Sequence, residues 1–242
     1  MKTKLFALAA LLLAGLVAPA ALHAAPPAGA LAQLTPQNSQ LLLIDHQPQM
    51  GFGVQSHDRA TLVNNVTGLA KASKAFAVPT VLTTVAAKSF SGPIWAEIAD
   101  VYPTKKIYDR TSMNTWDDAG VVAELATQKA TRPKLVMAGL WTEVCIVMPA
   151  LQAKAAGYEV YIVTDACGGT SKEAHDMAIA RLVQAGCVPV TWIQVMLEWQ
   201  RDWARQETYD VVNDIVKQHG GAYGMGIRYA KEMFNAQEGG KK

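Results

Sequence analysis

No excess of charge of either sign marks this sequence: 22 lysines and arginines stand against 20 aspartates and glutamates, a net +2 over 242 residues. The basic residues are scattered, which excludes the electrostatic footprint of a nucleic-acid binder. There are no internal repeats and no long linker, so neither a solenoid nor a string of separate domains is expected. Beyond the first two dozen residues no apolar run approaches the ~20 residues that span a bilayer. Cysteine is scarce, with three in the chain, and the odd count leaves at least one thiol unpaired even in an oxidising compartment.

What is present is half hydrophobic, enough to bury the core of one ordinary domain. Lys2 and Lys4 precede the apolar run LFALAALLLAGLVAPAAL, which ends in small residues before Pro26 and Pro27. That order predicts a secretory signal peptide over residues 1–24, cleaved after Ala24 or alternatively Ala20, with an uncleaved anchor as the other reading. The expectation is a periplasmic or secreted protein without stable membrane association once the signal is removed. The domain proper is expected over 34–208, followed by a helical and polar extension over 209–242.

Aliphatic runs of strand length recur at SQLLLIDH (39–46), PTVLTTVA (79–86), KKIYD (105–109), KLVMAGL (134–140), EVYIVTD (159–165) and VPVTWI (188–193). They are continuous rather than alternating, as in strands buried on both faces. Helical stretches fall between them at 59–76, 94–100, 117–129, 143–156 and 172–185, two of them reaching Gly157 and Gly186. This alternation predicts a parallel sheet with helices on both faces, and a ligand site beyond the carboxyl ends of its strands. Asp45, Asp109–Arg110, Leu140–Cys145 and Asp165 should share that rim. Cys167 and Cys187 should lie at opposite edges, about 15–20 Å apart, which argues against a disulfide between them. The tail reads as one long amphipathic stretch with Trp199 and Trp203 on one helix face, followed by glycine-rich GGAYGMGI.

Cys145 follows KLVMAGL and falls in the first turn of the 143–156 helix, where exposed N–H groups and the helix dipole lower a thiol's pKa. The same N–H groups suit an oxyanion. A small buried cysteine filling space is the alternative. The histidines do not supply the usual partner: His57, His175 and His219 lie off the rim, and His46 should point away from Asp45. A carboxylate, Asp45 at the end of LLLID, is the better base, unless it simply caps the next helix.

LLLIDHQ, DRTSMNTWDD, AGLWTEVC, VTDACGGTS and TWIQVMLEWQRDW together resemble the isochorismatase-like cysteine hydrolases, nearest to the YcaC-like branch. The resemblance covers about 34–208 in order and spacing. It implies a three-layer α/β/α fold with a six-stranded parallel sheet in order 3-2-1-4-5-6. It also implies a triad of Asp45, Arg110 and Cys145, with arginine in place of the lysine of most members. Arginine would orient Asp45 without relaying a proton. A non-proline cis peptide is implied at Leu140–Trp141, with the N–H groups of Trp141 and Cys145 forming the oxyanion hole. Gln47, Phe52, Met113, Asn114, Trp116 and Thr142 are expected around the substrate pocket, Thr142 also shaping the turn.

The implied reaction is hydrolysis of a small amide-like substrate through a Cys145 thioester. A catalytically silent scaffold or a thiol redox role is the alternative. The nicotinamidase-type metal ligands have no counterpart in TTVAAKSFSGPIW, so no metal and no cofactor are expected. A small-molecule substrate and a homo-oligomer complete the expectation.

Overall fold

The structure, a computed structural model, describes residues 31–239. The signal-peptide expectation lies outside the described residues. Among them, no helix is long and apolar enough to cross a membrane. Six strands form one parallel sheet: β1 (Ser39–Ile44), β2 (Thr80–Val85), β3 (Ile107–Arg110), β4 (Lys134–Gly139), β5 (Glu159–Val163) and β6 (Val188–Val190). Their order is β3-β2-β1-β4-β5-β6, the 3-2-1-4-5-6 of the sequence resemblance. β1 and β4 are buried along their whole length because helices cover both faces, which is why their sequences run apolar without alternation.

Nine helices complete the described chain: α1 (Pro48–Phe52), α2 (Arg59–Ala75), α3 (Ala96–Ala99), α4 (Ala119–Lys129), α5 (Val147–Ala155), α6 (Lys172–Gln184), α7 (Trp192–Gln200), α8 (Gln206–His219) and α9 (Ala222–Phe234). Side-chain oxygens cap several at their amino ends, among them Asp58 on α2, Asp118 on α4, Ser171 on α6 and Thr191 on α7. α2 packs with α7 and α8 in one outer layer, and α5 packs with α6 in the other.

Register decides which residues meet. Ile44 lies opposite both Thr83 and Gly139, and Val85 lies opposite Arg110, so β1 and β4 end together while β2 and β3 run two residues further at the same rim. A Cβ on Gly139 would fall 2.4 Å from the Ile44 carbonyl oxygen, so only glycine lets β4 come this close to β1 at the rim.

The carboxyl end of the chain departs from the sequence reading. VPVTWI is strand only to Val190; Thr191 caps a helix whose first residue is Trp192. That helix stops at Arg201, where φ is +61°, so Trp199 and Trp203 do not share a helix face. Trp199 is fully buried against Phe76 and donates its indole N–H to Ser39 at 3.2 Å. α8 runs through residues 208 and 209. Gly220 and Gly221 separate α8 from α9, and Gly224 lets α9 lie directly on α8: a Cβ there would meet the Val216 carbonyl oxygen at 2.2 Å. Gly224→Ala is expected to push α9 off α8 and lower stability by about 1–3 kcal/mol. An unchanged thermal midpoint would contradict that packing.

Candidate active site

Asp45 follows the last residue of β1 with φ at +55°, a left-handed conformation that aspartate tolerates better than most residues. Its carboxylate is completely buried. Arg110, the last residue of β3, meets it as a fork: Nη1 donates to Oδ1 and Nη2 to Oδ2, each at 2.7 Å. Nη1 also donates to the Thr84 carbonyl (2.9 Å) and the Thr83 hydroxyl (3.2 Å), and Nη2 to the Met113 carbonyl (3.4 Å). The Thr83 hydroxyl in turn reaches Asp45 Oδ1 at 3.3 Å. A rigid planar cation thus holds both carboxylate oxygens, which a lysine ammonium has no geometry to do. Lys106 sits over the Tyr108 ring instead.

Cys145 is 2% exposed and lies where Asp45 acts on its thiol both by charge and by hydrogen bonding. Two corrections to the sequence reading follow. The residue sits not in an ordinary first helical turn but in a π-helical turn, Thr142–Ile146, that leads into α5. Its thiol is not acidified. Burial first, and then the facing Asp45 carboxylate, push it up to about 12, with Arg110 and the Trp141 N–H only partly opposing this. The helix terminus is outweighed because desolvation of a thiolate beside a carboxylate is the larger effect. The resting group is therefore the thiol.

The Leu140–Trp141 peptide bond is cis, and the Trp141 N–H is directed at the Cys145 sulfur. The Trp141 indole donates to the Met50 carbonyl at 2.8 Å, and its ring packs against Gly53, tying the Thr142–Ile146 turn to α1.

The residues expected around the pocket divide. Phe52, at the end of α1, is 72% exposed and Met113, in the loop after β3, 60%; Phe90, in the segment after β2, is exposed as well. Gln47, Asn114 and Trp116 are committed elsewhere. The Gln47 amide donates to the carbonyls of Val85 (3.1 Å) and Gly92 (2.6 Å) and accepts from the Val85 N–H (2.9 Å), lacing the β1 and β2 loops together. Asn114 donates to Asp117 and Gln152 and accepts from the Trp116 N–H. Trp116 packs edge-on against Tyr158. Thr142 is buried with its hydroxyl 2.8 Å from His175 Nδ1. Asp165 receives the Trp192 N–H at 2.9 Å, a structural cap. All three cysteines are free and buried. Among the described residues, no three His, Cys, Asp or Glu side chains are grouped to hold a metal ion.

His46 was legible in sequence only as a residue turned from Asp45. It is fully buried, with Nε2 3.0 Å from the Ala166 carbonyl and Nδ1 without a partner. Burial pushes it down to about 4, against the opposing carbonyl. A depressed imidazole favours the folded state only while neutral. Its contribution is complete above the unfolded value near 6.5 and is lost as pH falls from there through 4, on the order of 3 kcal/mol. Thermal midpoints are therefore expected to drop between pH 6.5 and 4, and less steeply in His46→Gln, whose amide reproduces the Nε2 donor. Parallel curves for the two proteins would exclude His46 as the cause.

A doubly wound parallel sheet with a buried carboxylate–guanidinium pair at its carboxyl rim and a cysteine on the facing turn defines a class of α/β proteins that work at the switch point of the sheet. The isochorismatase domain model matches residues 39–194. The probable hydrolase YcaC of Escherichia coli K12 is 35% identical over 172 residues, 71% of this chain and 82% of that protein. Its crystal structure, described as an octameric hydrolase of unknown specificity, superimposes with a TM-score of 0.79 at 30% identity, covering 84% of this chain and 98% of that one. YcaC from Pseudomonas aeruginosa, determined with hexane-2,5-diol and covalent acrylamide, gives 0.77 at 30% identity over 81% of this chain and 96% of that chain. The chain belongs to the isochorismatase family, in its YcaC-like branch of hydrolases.

Proposed function

We propose that this protein is an exported cysteine hydrolase that cleaves a small amide-like C–N bond through a Cys145 thioester, with Asp45 as the proton carrier. The observation that carries this reading is the buried Asp45 carboxylate held by both nitrogens of Arg110 and facing the Cys145 thiol. With the thiol at about 12, thiolate formation and attack are coupled: the S–H proton passes to Asp45 as the S–C bond forms, and the carbonyl oxygen becomes an oxyanion. The N–H groups of Trp141 and Cys145 receive that oxyanion. Asp45 then returns the proton to the departing nitrogen as the C–N bond breaks. Water adds to the thioester, giving its proton to Asp45, and the C–S bond breaks to release the acid and restore the thiol. Arg110 keeps its proton throughout and holds the carboxylate in place.

Phe52, Phe90 and Met113 are exposed in the segments that follow β1, β2 and β3, on the side of the sheet where Asp45 and Arg110 lie, which is in keeping with a small substrate with an uncharged face. Export follows from the amino-terminal signal pattern of Lys2 and Lys4 before an apolar run. A homo-oligomer is the expected assembly, in keeping with the octameric YcaC relative.

Incubation of wild type and Cys145→Ala with small amides, carbamoyl compounds and nitriles, read by amine release and intact mass, tests the reading. Product or an acyl adduct in wild type alone is the expected result. Neither product nor adduct, with a Cys145 that iodoacetamide leaves untouched, would sink it in favour of a silent scaffold.

A further inference from the structure

The nucleophile turn is held from behind as well as from the side of Asp45. The Thr142 N–H donates to the Gly168 carbonyl at 2.9 Å, and its hydroxyl shares a proton with His175 Nδ1 at 2.8 Å. The next residue, Glu143, accepts from both the N–H and the hydroxyl of Thr170, at 2.9 and 2.7 Å. The His175 ring meets His57 edge to face, with 4.7 Å between centroids. His57 Nδ1 lies 2.8 Å from the Ser56 hydroxyl, whose oxygen accepts the Gly169 N–H at 2.9 Å. Gly169 leaves no slack, since a Cβ there would fall 2.7 Å from Glu143 Oε2 and 3.0 Å from His175 Cβ. The loop before α2, the loop before α6, the first turn of α6 and the nucleophile turn are thus joined in one polar cluster.

None of these side chains has a task in the chemistry proposed above, and the cluster is a costly way to fill space. His175 is 6% exposed, and Glu143 Oε2 is buried without a partner. Apolar residues of similar volume would pack there without desolvating imidazole or carboxylate. What such a network supplies is one fixed geometry.

We propose that His175, braced by His57, is a positioning residue that acts through Thr142 to fix the turn carrying the Trp141 N–H and the Cys145 thiol against Asp45. This rests on the reading of Cys145 as nucleophile. Thr142 is adjacent to Trp141 and three residues before Cys145, so a shift of its side chain moves both. A displacement of about 1 Å between reacting groups lowers a rate on the order of a hundredfold.

The test is the rate of acrylamide adduct formation at Cys145, followed by intact mass and located by peptide mapping. It is measured on the full chain as wild type, His175→Leu, His175→Asn, Thr142→Val and the His175→Leu/Thr142→Val double variant. Thermal midpoints run in parallel. An asparagine amide places a polar atom where Nδ1 sits. The Leu and Val variants are expected to react about ten- to a hundredfold more slowly. The double variant should be no slower than either single one, and Asn should recover to within about threefold of wild type. An Asn variant as slow as Leu, a double variant showing the product of the two single effects, or no slowing at all would each overturn the proposal. Should His175→Leu fail to fold, the Asn and Val variants decide on the same criteria. A wild-type Cys145 inert to both acrylamide and iodoacetamide removes the nucleophile reading itself and this proposal with it. A reactive wild type with equal rates in every variant removes the positioning role alone.

Discussion

Arg110→Met is expected to cost about 3–5 kcal/mol of folding stability, the largest loss from any single surface-distant charge in the site. The reason is what remains. Asp45 is completely buried, and its two oxygens receive both Arg110 nitrogens, so removing the guanidinium leaves a carboxylate in the interior with the Thr83 hydroxyl at 3.3 Å in its place. Urea denaturation of the two proteins measures the difference. Removing both charges together, as Asp45→Asn with Arg110→Met, should recover much of the loss, because the penalty belongs to the unpaired ion and not to the absent pair, and asparagine tolerates the left-handed backbone at 45. Arg110→Lys should fall between: the charge survives, but one ammonium has no fork for two oxygens. A loss below about 1 kcal/mol in Arg110→Met would mean that water reaches Asp45.

Asp45→Asn is expected to lower turnover by about 10⁴-fold while making the thiol more acidic, two effects of opposite sense. The carboxylate now raises the Cys145 thiol by its charge and its hydrogen bond, second only to burial. An amide removes the charge, so the equilibrium thiolate fraction rises. It cannot accept a proton from sulfur or return one to nitrogen, so the catalytic cycle stops. Thiol titration and amine release on the same preparation separate the two quantities. A variant whose turnover follows its thiolate fraction upward would show that Asp45 is not the proton carrier.

The parallel sheet was legible in the sequence because strands buried on both faces leave unbroken runs such as LLLI and VYIVT, with helix-length segments between them; its order came from the family resemblance. That Asp45, Arg110 and Cys145 share a rim was legible because each ends or follows a strand of a parallel sheet. What the sequence concealed depends on contacts between distant segments. Nothing along GGAYGMGI shows that Gly224 is where α9 presses on Val216. Gln47 and Asn114 were expected near the pocket from the resemblance alone; no sequence pattern shows that the Gln47 amide joins the β1 and β2 loops or that the Asn114 amide reaches Gln152 on α5. The rise of the Cys145 thiol was hidden too. A helix terminus is visible along the chain, whereas burial and a carboxylate arriving from residue 45 are not. The one warning available was the apolar character of the residues around Cys145, CIVMPAL, which announce an enclosed turn.

The strand order has one more result. Reading outward from the centre, Asp45 and Arg110 belong to the half of the sheet built from β1, β2 and β3, and Cys145 to the half built from β4, β5 and β6. On the proposed mechanism the two reacting groups, Asp45 and Cys145, come from opposite halves and are never neighbours along the chain. On that mechanism a polypeptide still being synthesised, or cut between the halves, is inactive until the halves close against each other along β1 and β4.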